Sequence, residues 1–130
     1  MTKEEAEIFK NSKELKEKIL KSYEMMLNFY GIKLNKENLE LSRNEDWILH
    51  YENLEHHPHN FLRITRILKC LGFLGLKEHK KPFLKFIGDE IFTKFELTSC
   101  KQSFVNFWIP TLETEQDMIE IVEYIRKIQK

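Results

Sequence analysis

Three cationic side chains recur at three-residue intervals in the middle of the sequence, and their types and spacing could do chemistry. Arg63, Arg66 and Lys69 would share one side of a helix, because three-residue steps return to nearly the same position on a helical wheel. A guanidinium group binds carboxylates and phosphates through two parallel hydrogen bonds. The pattern therefore indicates an anion-binding face, internal ion pairs with acidic helices of the chain, or a solvated helix surface.

The excess of positive charge is local. Seven basic residues stand against the single acid Glu78 between His56 and Phe86, whereas the whole chain has 21 basic and 21 acidic residues. The balanced total gives no general attraction to nucleic acids or acidic membranes. Because no nucleic-acid-binding motif or aromatic platform accompanies the basic residues, the sequence argues against a nucleic-acid partner.

The basic residues belong to a predicted amphipathic helix from His59 to Gly75. We expect Asn60 to cap its start after Pro58, and Gly72 and Gly75 to end it. Its apolar residues fall in the arc opposite the cations, and they are Phe61, Ile64, Ile67, Leu68 and Leu71.

The remaining periodicity is helical almost throughout, which predicts an all-α, compact bundle of five to seven helices forming a single domain over residues 1–130. From Ile32 to Asn44 we expect a polar connection with a short extended piece. The other predicted helices span Lys3 to Tyr30 with a break at Asn11-Ser12, Glu45 to Leu54 capped by Asn44, Lys77 to Phe95, a segment before Pro110, and a last helix capped by Thr111 or Thr114.

Other residue sets suggest weaker chemistry. His56, His57 and His59 could hold a metal, but no cysteine joins them and their spacing is not that of a structural zinc site, so we expect His59 and Asn60 to shape the helix start. Asp46 with His50 could form an acid–base pair. Since no nucleophile, Gly-rich phosphate loop or known catalytic constellation accompanies it, we expect no enzyme activity, metal or cofactor.

The two cysteines and the aromatic residues bear on compartment and partners. Cys70 and Cys100 lack metal-ligand spacing and suit reduced thiols. No stretch is apolar enough to span a membrane, so we expect an intracellular protein. Most aromatic residues should build the core, but Phe73 and one of Phe107 and Trp108 could line an exposed groove. Such a groove would hold a peptide or protein partner, or a segment of the protein ahead of this sequence.

The pattern from His59 to Gly75, His-Asn-x-Leu-Arg-Ile-Thr-Arg-Ile-Leu-Lys-x-Leu-Gly-x-Leu-Gly, resembles the conserved domain of the opioid growth factor receptor family. Phe29-Tyr30-Gly31 and Asn53-Leu54 belong to the same resemblance. Members of the family are expected to carry a further segment, rich in Tyr, Trp, Leu, Phe and Pro, ahead of the point where this sequence begins. The resemblance gives a structural motif of Phe29, Tyr30, Gly31, Asn53, His59, Asn60, Gly72 and Gly75.

The resemblance implies an intracellular peptide-binding domain of the cytoplasm, the perinuclear region or the nucleus. It implies binding of methionine enkephalin and negative regulation of cell growth. For such a peptide we expect a cation to hold the terminal carboxylate and an aromatic groove to hold the Tyr and Phe side chains. The candidate ligand-binding residues are Arg63, Arg66, Lys69, Trp47 and Tyr51. The alternative is a structural or protein-interaction module with no opioid ligand.

Overall fold

Five α-helices of ten or more residues and one β-hairpin form the part of the chain that this computed structural model describes, residues 2–4 and 13–129. A 3-10 turn (Lys77–His79) precedes the fourth helix, and a composite helix of 3-10, α and π turns covers residues 98–111. The helices are α1 (Lys13–Phe29), α2 (Trp47–His56), α3 (His59–Phe73), α4 (Lys80–Phe92) and α5 (Glu115–Ile128), and the strands are β1 (Ile32–Leu34) and β2 (Leu41–Arg43).

The expected mostly helical fold is confirmed, with the hairpin as an addition. Gly31 ends α1 with φ +82°, a left-handed conformation that glycine adopts without strain. The chain then turns directly into β1, which pairs antiparallel with β2 so that Ile32 faces Arg43 and Leu34 faces Leu41. The region predicted as a polar connection is thus an ordered element that places Arg43 against the helices.

The predicted central helix is present, but the role expected of Asn60 is wrong. The helix α3 begins at His59, and no side chain caps it. Asn60 is instead 3% exposed, and its Oδ1 accepts a hydrogen bond of 3.1 Å from the Tyr30 hydroxyl. A buried amide needs such a partner, so this bond ties the end of α1 to the start of α3.

Gly75 ends α3 as predicted, whereas the end predicted at Gly72 is wrong. Gly75 has φ +74°, its N–H donates to the carbonyl of Gly72 at 3.2 Å, and the N–H of Leu76 donates to the carbonyl of Leu71 at 2.8 Å. These two bonds form the Schellman arrangement that satisfies the last carbonyls of a helix. Gly72 lies within the helix and is buried against the side chain of Lys80.

Trp108 lies at the centre of the core and is 0% exposed. Its indole N–H donates to Thr65 Oγ1 at 3.1 Å, and its ring makes edge contacts with Phe61, Phe83 and Phe104 at 6.2 to 6.4 Å between centroids. These contacts join the composite helix to α3 and α4. Aromatic edge contacts of this kind add to the stabilisation that burial alone provides.

Several predicted boundaries differ from the structure. The helix α4 ends at Phe92, so Phe95 is not part of its apolar stripe; Phe95 has φ +56° and is 75% exposed. The cap at Thr114 is confirmed, because its side chain accepts from the N–H of Asp117. The helix α2 starts at Trp47, two residues later than expected. The predicted break at Asn11-Ser12 lies outside the described residues.

We predict that Gly31→Ala destabilises the protein more than Gly75→Ala does. Both residues have positive φ, which costs about 1–2 kcal/mol for any residue with a Cβ atom. A Cβ at Gly31 would also lie 2.8 Å from the Cα of Trp47, whereas Gly75 is exposed. Urea unfolding of the two variants measures the difference, and equal losses of unfolding free energy would contradict the packing argument.

Candidate functional site

An apolar groove lies between α1 and α3 and encloses about 350 Å³. Two large apolar side chains on its α1 side are exposed, Met25 by 63% and Phe29 by 50%. Methionine, aromatic residues and arginine are enriched at protein-binding surfaces. The groove is lined by Ser22, Met25, Met26, Phe29, Tyr30, Arg63 and Ile67.

The groove residues of α1 were missing from the sequence-based site. The core stripe of α1 contains Tyr23, Met26 and Leu27, and Met25 and Phe29 lie outside it. Large apolar residues on the polar side of an amphipathic helix were the available signal, because such a helix normally keeps charged residues there. Phe29 contacts Tyr30 edge to face, with centroids 5.3 Å apart.

The cationic residues of α3 face solvent, and one of them, Arg63, lines this groove. Arg63, Arg66 and Lys69 are all exposed, and none of them forms an ion pair within residues 2–4 and 13–129. The acids of α5 pair instead with Lys81 of α4, whose Nζ lies 2.7 Å from Asp117 and 2.6 Å from Glu120. Of the three interpretations of the basic face, internal ion pairing with the acidic helices is therefore wrong.

Arg63 is the cation that reaches the groove. Its guanidinium lies beside the hydroxyl of buried Tyr30, where burial raises the pKa of the tyrosine and the positive charge opposes that rise. The same hydroxyl donates to Asn60. Tyr30 thus lines the groove, and its hydroxyl interacts with both Asn60 and Arg63.

The two candidate aromatic residues of α2 lie in a different place. Arg43 covers Trp47, with its Cζ 3.7 Å from the ring centroid, and Tyr51 is only 2% exposed. The structure therefore brings Arg63, Arg66 and Lys69 together on α3 but gives Trp47 and Tyr51 a shared partner within the fold. A ligand on the α3 face would find its aromatic contacts on α1.

The carboxylate of Glu90, which is 0% exposed, holds Arg43 over the ring of Trp47. The Nε and Nη2 atoms of Arg43 each lie 2.9 Å from Glu90 Oε2, and Lys94 Nζ lies 3.1 Å from Oε1. Burial, followed by the nearby negative charge of Glu90, raises the pKa of Tyr51. The cluster joins β2, α2 and α4 and gives the α2 aromatics a structural role.

We predict that Arg43→Met lowers the unfolding free energy by about 3 kcal/mol or more, because it leaves a buried carboxylate without its main partner. The double variant Arg43→Met/Glu90→Leu should recover much of this loss, since it removes the stranded charge. Urea unfolding followed by circular dichroism measures both. The exposed-pair variant Glu120→Ala is the control, with an expected loss below about 1 kcal/mol, and a double variant as unstable as Arg43→Met would contradict the account.

A second cavity, of about 470 Å³, lies between α1, the hairpin and the 3-10 turn. Leucines of α1 and the hairpin line it together with His79, which is 6% exposed. Its Nδ1 has no hydrogen-bond partner among residues 2–4 and 13–129. The His79 ring contacts Tyr23 edge to face at 5.4 Å. Burial lowers the pKa of His79 below its ordinary value of 6.5, and Glu78 partly opposes this shift.

We predict that His79 makes the protein less stable at acidic pH. Below pH 6.5 the unfolded chain takes up a proton at this residue that the folded chain does not, so stability is full above that pH and falls as pH decreases toward the folded pKa. His79→Phe retains an aromatic ring but cannot be protonated. It should therefore reduce the loss of unfolding free energy between about pH 7.5 and about pH 5.5, as measured by urea unfolding. The exposed His59→Gln variant should retain the loss, and an unchanged loss in His79→Phe would count against the prediction.

The histidines near the start of α3 are His56, His57 and His59. In the described ranges no three His, Cys, Asp or Glu side chains are placed to hold an ion. His57 Nδ1 lies 2.7 Å from the carbonyl of Asn53, so the His57 side chain bonds to the backbone near the end of α2. Cys70 and Cys100 are free thiols, and burial raises the pKa of Cys100 to about 12.

The fold and surface define a mostly helical domain with one exposed apolar and cationic face, and none of the helices described here is long and apolar enough to cross a membrane. The family described as "Opioid growth factor receptor (OGFr) conserved region" matches residues 1–130. The chain belongs to this family, as its motifs predicted.

Named relatives agree with the family match. The chain is 38% identical to the opioid growth factor receptor of Mus musculus over 125 residues, which are 95% of this chain and 20% of that protein. It is 35% identical to the opioid growth factor receptor-like protein 1 of Mus musculus over 98% of this chain and 27% of that protein. It is 34% identical to the opioid growth factor receptor of Homo sapiens over 95% of this chain and 18% of that protein. The chain thus spans about a quarter or less of these relatives, and no solved structure matches it.

Proposed function

We propose that this chain is a non-catalytic peptide- or protein-binding domain and that its ligand binds in the groove between α1 and α3. The observation that carries the proposal is the position of Arg63 at the rim of a groove whose apolar side chains, Met25 and Phe29, are half or more exposed. Exposed apolar residues beside an exposed cation are typical of binding surfaces.

The groove suits a short peptide with an aromatic or thioether side chain and a terminal carboxylate. The peptide's apolar side chains would pack on Met25 and Phe29, and its carboxylate would accept hydrogen bonds from Arg63. Arg66 and Lys69 extend the positive field along α3 and favour the approach of an anionic group. Methionine enkephalin has these features, and the names of the relatives support it as the first ligand to test.

A cellular role accompanies this proposal. We infer that the protein acts inside the cell, in the cytoplasm, the perinuclear region or the nucleus, as a regulator that restrains cell growth. The two free thiols suit a reducing compartment. The growth-related role depends on the names of the relatives and on the peptide ligand.

We predict that methionine enkephalin binds saturably to the purified domain and that its affinity falls with salt. Arg63→Ala should weaken binding about tenfold, which is the size expected for one charge-assisted contact. The C-terminally amidated peptide should bind equally weakly to the wild type and to Arg63→Ala, because the carboxylate and the arginine act as one pair. Isothermal titration calorimetry measures all four combinations.

Two exposed residues distant from the groove serve as controls for this titration. Arg126→Ala removes a cation from α5, and Leu49→Ala removes an apolar side chain that is 71% exposed on α2; neither should change the affinity. If Arg63→Ala weakens the native and amidated peptides to the same extent, the carboxylate contact is wrong even though the peptide binds.

The second candidate function is a structural or protein-interaction module without an opioid ligand. It is favoured by the places of the family's motif residues, since Tyr30 and Asn60 bond to each other in the interior and Gly31 packs on the start of α2. Such residues hold the fold rather than a ligand. Absence of peptide binding by a folded, monomeric sample would support this function over the first.

A further inference from the structure

The outward face of α3 carries a second regular pattern, distinct from the groove. Leu62, Arg66, Lys69 and Phe73 follow one another at steps of four, three and four residues, which is the spacing of the contact positions in a two-helix coiled coil. All four are exposed, with Leu62 at 62% and Phe73 at 53%. We call these four residues the α3 seam.

The α3 seam has apolar ends and a cationic centre. Leu62 and Phe73 are eleven positions apart, which corresponds to roughly 16 Å along the helix axis. Arg66 and Lys69 lie between them and have no ion-pair partner in the described part of the chain. The outward face of a surface helix normally carries charged and polar residues, so two large apolar side chains in register with two cations point to a partner.

The chemistry of the seam defines that partner. A helix packed along α3 would place a side chain opposite each seam residue at the same spacing. An apolar residue opposite Leu62 or Phe73 would lose its contact with water, which is favourable. An acidic residue opposite Arg66 or Lys69 would form an ion pair. A basic or neutral helix would leave two cations unpaired in the interface.

We propose that the α3 seam docks an acidic amphipathic helix of a partner protein, one whose contact stripe is apolar, acidic, acidic and apolar at steps of four, three and four residues. Helix-in-groove recognition uses such anchors at helical spacing. The groove between α1 and α3 lies beside the seam and is lined by none of its four residues, so variants of the groove and of the seam test the two sites separately.

The test uses a synthetic helical peptide of about 18 residues that carries Leu, Glu, Glu and Leu in the stripe and Ala, Gln and Lys elsewhere. Calorimetric titration should show saturable binding to the wild-type domain. A second peptide, with Lys in place of the two stripe Glu residues, should not bind. A third peptide with the same composition and a scrambled stripe tests whether the spacing matters.

Variants of the chain separate charge from apolar contact. Arg66→Glu/Lys69→Glu should weaken binding of the acidic peptide at least about tenfold and should create binding of the lysine peptide. Leu62→Ala/Phe73→Ala should weaken both pairings. The matched controls are Arg126→Glu/Lys127→Glu on α5, which reverses two exposed cations, and Phe29→Ala in the groove; both should retain the acidic peptide. Since all the altered side chains are at least half exposed or charged and exposed, thermal unfolding should show that every variant remains folded. A small loss of stability is expected for Arg126→Glu/Lys127→Glu, because these cations lie in the last turn of α5 and interact favourably with the helix dipole.

If Arg66→Glu/Lys69→Glu binds the lysine peptide in place of the acidic peptide, the α3 seam is the docking site. Equal binding of the scrambled peptide, or loss of binding in Phe29→Ala alone, would overturn the proposal. A further outcome would also overturn it. If the acidic peptide fails to bind, and the domain sediments with phosphatidylserine vesicles unless it carries Arg66→Glu/Lys69→Glu, the surface contacts an acidic membrane instead of a helix.

Discussion

The carboxylate of Glu90 is fully buried, and a buried carboxylate remains ionised only when cations surround it. Arg43 supplies two hydrogen bonds from β2 and Lys94 a further contact from just beyond α4. The position of the hairpin is therefore fixed by the helix it packs against. Because Trp47 lies under the same guanidinium, the start of α2 is fixed with it, and the turn at Gly31 is what lets the chain reach this arrangement directly from α1.

The pairing of acids with cations decides which surface is left for a partner. Glu90 pairs with Arg43 and Lys94 in the interior, and two acids of α5 pair with Lys81 at the surface. Within the described residues the cations of α3 therefore form no ion pair. Those cations face solvent between exposed apolar side chains of α1 and α3. A chain with balanced total charge thereby has one strongly cationic face, a condition that favours selective association over general attraction to anions.

The helices of this fold follow from apolar periodicity, and the α3 helix with its glycine end and the Thr114 cap were predicted from sequence. The hairpin was not, because three-residue strands are too short for alternation to stand out. Asn60 was assigned to a cap because local chemistry favours that role; only the tertiary contact with Tyr30 makes it a core residue. At the candidate site, helical spacing predicted that the three cations share one face of α3. Their role in binding stays a prediction, and their apolar neighbours on α1 depend on which helices pack together, which spacing within one helix does not reveal.

The two tryptophans lie in contrasting surroundings, so they are two intrinsic fluorescence probes of different parts of the fold. Trp108 is enclosed by aromatic rings in the core, so its emission follows the state of the helical interior. Trp47 is partly exposed beneath the Arg43 guanidinium, so its emission follows the junction of the hairpin with α2. Local opening at that junction and global melting therefore have separate spectral signatures in a protein that carries no dye.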